Sequence, residues 1–191
     1  MNLFLIGYRC SGKTTIGKSI AEAIDWLFVD ADNMLVEECG KHIKDIVDSE
    51  GWEAFRRRER SMLKQICTKK RQVVATGGGV VLDADNVRTM QESGIIIGLG
   101  ATAETIRKRL LQDMNTANFR PALTDKGLLG EIEEMLSKRN PCYESASDFF
   151  IHTDNMPIND IARNIIEKLK KMKSDIFPVL TGTIGPIGKT G

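Results

Sequence analysis

The strongest constraint on this chain is the octapeptide Gly7-Tyr8-Arg9-Cys10-Ser11-Gly12-Lys13-Thr14. It satisfies G-x-x-x-x-G-K-[ST] at every fixed position, the pattern of a phosphate-holding loop, or P-loop. Its flanks supply the structure the pattern requires. Upstream, Leu3-Phe4-Leu5-Ile6 is an apolar run long enough for one buried strand. Downstream, Ile16, Ile20, Ala23 and Ile24 recur at helical spacing, which predicts a helix opening at Lys13 or Thr14. Strand, loop and helix N-terminus together make an anion site, because backbone N–H groups point inward and the helix dipole adds partial positive charge. The residues expected to border a nucleotide are Gly7, Cys10, Ser11, Gly12, Lys13, Thr14 and Thr15. Lys13 would reach the β- and γ-phosphates from a position facing the cleft and outside the core, and the Thr14 hydroxyl would ligate Mg²⁺.

Four further apolar runs follow, alternating with helical patterns. Leu27-Phe28-Val29 ends in Asp30-Ala31-Asp32, which places carboxylates at a strand's C-terminal edge, where open α/β sheets bind ligands. An aspartate there can also serve as a helix N-cap. Met34 to Cys39 read as helix, stopped by Gly40. Ile43, Ile46 and Val47 form one apolar stripe, broken at Ser49 to Gly51, and a long helix runs from Trp52 to about Thr68. That helix carries Arg56, Arg57, Arg58 and Arg60, which cannot share one face at 100° per residue, so some of them are solvated. Gln72-Val73-Val74-Ala75 is the third strand, and Thr76-Gly77-Gly78-Gly79 after it suits a close approach of backbone to ligand. Ile95 to Leu99 make the fourth strand, and Thr102 caps a helix with Ile106 and Leu110. The stretch from Gln112 to Asp125 is polar and aperiodic, as lids are. A helix from about Leu128 to Arg139 should end near Pro141. Phe149-Phe150-Ile151 is the fifth strand, and Ile158, Ile161, Ala162, Ile165, Ile166 and Leu169 mark a last amphipathic helix. Five buried strands alternating with helices predict an α/β fold, a three-layer α/β/α arrangement around a five-stranded parallel sheet. Residues 1–173 would form this domain, and 174–191, rich in Gly and Pro, an appended tail.

Charge excludes one class of partner. The 27 basic and 26 acidic residues nearly cancel, which argues against nucleic acid or a membrane surface held by bulk charge. Cys10, Cys39, Cys67 and Cys142 are scattered without a C-x-x-C pair and read as free thiols in a reducing cytoplasm. The N-terminal apolar run is too short for a span or a signal segment.

With these residues placed, the chain resembles the shikimate kinase family over roughly residues 2–170. Gly7 to Thr14 is similar to its Walker A loop and Asp30-Ala31-Asp32 to its D-x-D. Phe55-Arg56-Arg57-Arg58-Glu59 resembles its F-R-x-x-E, Gly77-Gly78-Gly79 its triple glycine, and Arg120-Pro121 its lid R-P. Arg139-Asn140-Pro141-Cys142-Tyr143 resembles its R-x-P-x-Y. The resemblance implies a P-loop fold like that of nucleoside-monophosphate kinases. It also implies ATP-dependent phosphorylation of the 3-hydroxyl of shikimate, a step of chorismate and aromatic amino-acid biosynthesis, by a cytoplasmic monomer using Mg²⁺. By that resemblance Asp30 and Thr14 would hold Mg²⁺, and Asp32 would bind the substrate hydroxyls and act on the attacking one. Arg56 and Arg139 would clamp the carboxylate, with Gly78 and Gly79 offering N–H groups. Arg120 would meet the phosphates, and Arg109, Asn155 and Pro157 would border adenine. Arg57, Arg58 and Arg60 receive no role beyond solvation. Two rivals remain at this point: a P-loop kinase of another small molecule, and a nucleotide-sensing module without turnover.

Overall fold

The computed structural model describes residues 1–112 and 128–172. Five strands lie in one sheet: β1 (Asn2–Ile6), β2 (Leu27–Asp30), β3 (Gln72–Ala75), β4 (Gly94–Gly100) and β5 (Phe149–His152). Their order is β2-β3-β1-β4-β5, and every neighbouring pair is parallel. The strands are apolar almost throughout because both faces are covered. Leu3, Leu5, Val73, Ile95, Ile97 and Leu99 face α1 (Lys13–Ile24) and α7 (Ile158–Met172). Phe4, Ile6, Val74 and Ile96 point the other way. They meet α2 (Ala31–Cys39), α3 (Ile43–Cys67), α4 (Ala84–Ser93), α5 (Ala103–Gln112) and α6 (Leu128–Ala146). The expected three layers are therefore present.

The central strand, β1, is also where the chain's direction across the sheet divides. From β1 the chain passes by α1 to β2 on one side, whereas β4 leads to β5 on the other. A crevice outside the carboxyl ends of the strands forms at such a switch point. The P-loop follows β1 there, and the triple glycine follows the adjacent β3.

Two local outcomes differ from the sequence reading. The break expected at Ser49 to Gly51 is a single kinked residue, Gly51 at φ 82°, within the otherwise helical span of α3. The helix expected to stop near Pro141 runs on to Ala146. An interior proline loses one backbone bond and crowds the preceding turn, at about 3 kcal/mol. Here Tyr143 and Ala146 are buried beyond it, and the Tyr143 hydroxyl donates to the Gly78 carbonyl, so tertiary packing carries the helix through. All four cysteines are free thiols. No described helix is long and apolar enough to cross a membrane. The lid stretch beyond Gln112, with Arg120, and the tail at 174–191 lie outside the described residues.

Candidate active site

The P-loop closes as a tight nest before α1. Gly12 sits at φ 101°, a conformation that costs a residue with a Cβ, and the helix starts directly at Lys13. Lys13 departs from expectation: it is buried, and its Nζ donates to the Gly7 and Tyr8 carbonyls at 2.9 and 2.8 Å. An ammonium withdrawn from water needs acceptors, and the loop's own carbonyls provide them. From outside, Arg109 on α5 ties the loop down. Its guanidinium donates to the Cys10 carbonyl at 3.1 Å and to the Thr153 hydroxyl and carbonyl at 3.0 and 2.8 Å. Thr153 in turn donates to the Ser11 carbonyl at 3.2 Å. The segment with Asn155 (φ 53°) and Pro157, whose carbonyl opens α7, is thus fixed beside the loop.

The two aspartates after β2 take different positions. Asp30 is the N-cap of α2, accepting from the Asn33 N–H at 3.2 Å, so the capping alternative holds for this residue. Its other oxygen accepts from the Thr14 hydroxyl at 2.9 Å, and Thr14 and Thr15 are both exposed at the mouth. A hydroxyl beside a carboxylate is a hard-oxygen pair, and Mg²⁺ carried on phosphates needs only one or two carboxylates from the protein. The Thr14–Asp30 pair therefore fits that ion. Asp32, in the first turn of α2, faces the neighbouring cleft instead.

That cleft encloses about 510 Å³, its open mouth included. Asp32, Arg9, Arg56 and Arg139 line it together with Gly77, Gly78 and Gly79, over an apolar floor of Trp52 and Phe55. Arg56 lies across both rings, 5.5 Å from the centroid of Trp52 and 5.1 Å from that of Phe55. Its Nη1 donates to Glu59 at 2.6 Å. A Cβ on Gly79 would collide with the Arg56 guanidinium, so the glycine is what lets the arginine lie flat on the backbone. Arg139 comes from α6 and lies 3.4 Å from the Gly78 carbonyl, which also accepts from Tyr143. Burial pushes the Tyr143 phenol up to about 12, against the pull of Arg139, so it remains a donor. Gly78 is also within 3.5 Å of the P-loop backbone at Gly7 and Arg9, measured from the place of a Cβ. Acceptor cleft and phosphate loop therefore adjoin at the triple glycine.

Arg9, Tyr8, Trp52 and Glu59 also line the cleft, and no pattern in the sequence marks them as doing so. Arg9 forms an ion pair with Glu131 of α6 in which both side chains are largely buried, linking partners 122 positions apart. No local pattern announces that contact. Glu59 was legible only as the last letter of F-R-x-x-E. It is buried, which raises its pKa, while Arg56 pulls the other way.

The remaining arginines are not one solvated run. Arg57 pairs with exposed Glu53, as a surface helix pair would. Arg58 reaches Glu50 and the Cys39 sulfur. Arg60 donates through Nε at 2.8 Å, and also through Nη2, to Asp83, the residue that caps α4 just beyond the glycines. Burial alone would raise the Asp83 pKa, but the hydrogen bonds from Arg60 and the Asp85 N–H outweigh it and leave it below 3.8. A carboxylate depressed in the folded state adds stability above its unfolded pKa and loses it as pH falls through the folded one. The melting temperature of Asp83→Asn should therefore sit below wild type near neutrality, with the gap closing as pH drops below about 4. Because Arg60 is well exposed, solvent screens the pair and the gap should be small. A gap independent of pH would contradict the ion-pair account.

Comparison with known proteins follows the same lines. The profile of the shikimate kinase family matches residues 9–170. A shikimate kinase of Thermodesulfovibrio yellowstonii is 38% identical over 173 residues, 91% of this chain and 97% of that one. A shikimate kinase 2 of Sodalis glossinidius is 38% identical over 168 residues, 88% of this chain and 95% of that one. Among solved structures, shikimate kinase from Acinetobacter baumannii in complex with shikimate superposes with a TM-score of 0.83 at 30% identity, covering 90% of this chain and 94% of that one.

Proposed function

From the premise that this chain belongs to the shikimate kinase family, we propose that it transfers the γ-phosphoryl group of ATP to the 3-hydroxyl of shikimate, with the residues of the cleft in the following roles. The observation that carries the reading is the cleft itself: the Asp32 carboxylate, the guanidinium groups of Arg56 and Arg139 and a backbone of glycines converge beside a P-loop. A hydroxy acid needs a proton acceptor at its hydroxyl and a forked cation at its carboxylate.

The nucleotide phosphates lie in the loop of Gly7, Cys10, Ser11, Gly12, Lys13, Thr14 and Thr15, with the Lys13 ammonium at the transferring group. Thr14 and Asp30 would hold Mg²⁺, which would neutralise negative charge on the phosphate oxygens. Arg109, Asn155 and Pro157 border the adenine, and Arg120 of the lid meets the phosphates. On the acceptor side, Asp32 orients the 3-hydroxyl and takes its proton. The hydroxyl oxygen forms the new bond to phosphorus as the bond to the β-phosphate oxygen breaks, leaving ADP. Arg56 and Arg139 hold the carboxylate, and the N–H groups of Gly78 and Gly79 complete its cradle.

Arg56 is preorganised by two rings and Glu59, so lysine at 56 would keep the charge and lose both the fork and the stack. Arg56→Lys and Arg139→Lys should each raise the KM for shikimate roughly ten- to a hundredfold, with ATP affinity nearly unchanged. Equal losses for ATP and shikimate would show a general collapse of the site. The reading as a whole is tested by ADP release with shikimate against gluconate and nucleoside monophosphates, with the product identified by phosphorus NMR. Shikimate should be the strongly preferred acceptor and its 3-phosphate the product. Preference for another acceptor would overturn the assignment.

A further inference from the structure

One part of the cleft has no role in the chemistry above. Behind Asp32 lies a small cavity of about 10 Å³, lined by Asp32, Glu59, Thr76 and Gly77 among the apolar side chains of Leu35, Met62, Leu63 and Val80. Glu59 stands one turn after Arg56 on α3. One of its oxygens, Oε2, accepts from Arg56 at 2.6 Å. The other, Oε1, is buried and takes no hydrogen bond from any described residue, and Glu59 as a whole is only 7% exposed. A Cβ built on Gly77 would stand 2.7 Å from this Oε1 and 2.9 Å from Oδ1 of Asp32. Two acceptor oxygens, from different helices, thus converge on the spot that Gly77 keeps open.

Glu59 Oε1, buried without a partner among the described residues, calls for a donor, and Asp32 Oδ1 faces the same point. The space is on the order of that needed by one water molecule, and a water requires at least two polar partners. A guanidinium group would not fit there. Among the described residues no group of three or more His, Cys, Asp or Glu is placed to hold a metal ion either.

We propose that this slot binds a single water, donating one hydrogen to Glu59 Oε1 and the other to Asp32 Oδ1, so that Glu59 positions Asp32. The proposal rests on the reading of Arg56 as carboxylate ligand and Asp32 as proton acceptor. It joins the two ends of the substrate site in one chain of contacts: carboxylate, Arg56, Glu59, water, Asp32, hydroxyl. The arm that recognises the acid then also holds the group that receives the proton. Glu59 is a positioning residue in this scheme, since it reaches the reacting hydroxyl only through others. A donor at Oε1 also favours the ionised form of Glu59, which its contact with Arg56 requires.

Gly77→Ala is the direct test, because its methyl group would crowd both oxygens, at 2.7 and 2.9 Å, and close the slot between them. The backbone at Gly77 is outside the left-handed region, so alanine is not strained there by φ. The expected result is a fall of about tenfold in kcat, with the dissociation constants for ATP and shikimate essentially unchanged. Binding can be read from the fluorescence of Trp52 in the cleft wall. A high-resolution crystal structure of the wild-type protein should show one water between the two oxygens, and it decides the matter alone if the alanine variant does not fold. Wild-type kcat in Gly77→Ala, or a structure in which the two oxygens bond directly or share a cation, would overturn the proposal. Either outcome leaves shikimate turnover by the wild type intact, whereas no turnover by the wild type would sink the underlying reading instead.

Discussion

Asp32→Asn should lower turnover by about two to four orders of magnitude while ATP affinity holds, because the amide keeps the shape of the side chain and cannot take a proton. The separation of the two sites underlies the expectation. Asp32 lies in the first turn of α2 and lines the acceptor cleft, whereas the carboxylate beside Thr14 belongs to Asp30. Measuring kcat at saturating ATP and shikimate, together with ATP binding by calorimetry, distinguishes the roles. A variant that keeps its kcat but binds ATP-Mg²⁺ poorly would move Asp32 into the metal site.

Lys13→Met should abolish phosphoryl transfer, with a loss of at least about a thousandfold. Two effects add. The substitution removes the cation assigned to the transferring phosphate, and it removes the two hydrogen bonds that join Lys13 to the Gly7 and Tyr8 carbonyls. Methionine matches the volume of the lysine stem, and relief from burying the ammonium partly offsets the two lost hydrogen bonds. The melting temperature should therefore stay near that of the wild type. Wild-type turnover in this variant would sink the nucleotide-site assignment.

What the sequence made legible was whatever depends on short-range pattern. The strand before Gly7 and the helix at Lys13 follow from spacing alone, as do the other four strands, because buried parallel strands are nearly continuous apolar runs. The ordered motifs also pointed to residues that the fold then gathers in one cleft, Asp32, Arg56, Gly78, Gly79 and Arg139. What stayed hidden depends on long-range contact. Pro141 reads locally as a helix end, and only Tyr143 packing against Gly78, 65 positions away, carries the helix past it. Lys13 reads as a cleft cation, yet the curl of the loop folds it onto nearby carbonyls. Arg60 looks like one more solvated charge until Asp83 comes within reach. The pairing of Arg9 with Glu131 crosses from the P-loop to α6, and charge alone could not have matched them.

The central claim is that the cleft selects its substrate by gripping a carboxylate between Arg56 and Arg139 while Asp32 receives the hydroxyl proton. The most direct measurement is kcat/KM of the wild-type protein for shikimate and for its uncharged carboxamide, side by side. Loss of the charge-assisted contacts should reduce kcat/KM for the carboxamide by roughly ten- to a hundredfold. Phosphorylation of the carboxamide as efficiently as shikimate would contradict the clamp and reopen the substrate class.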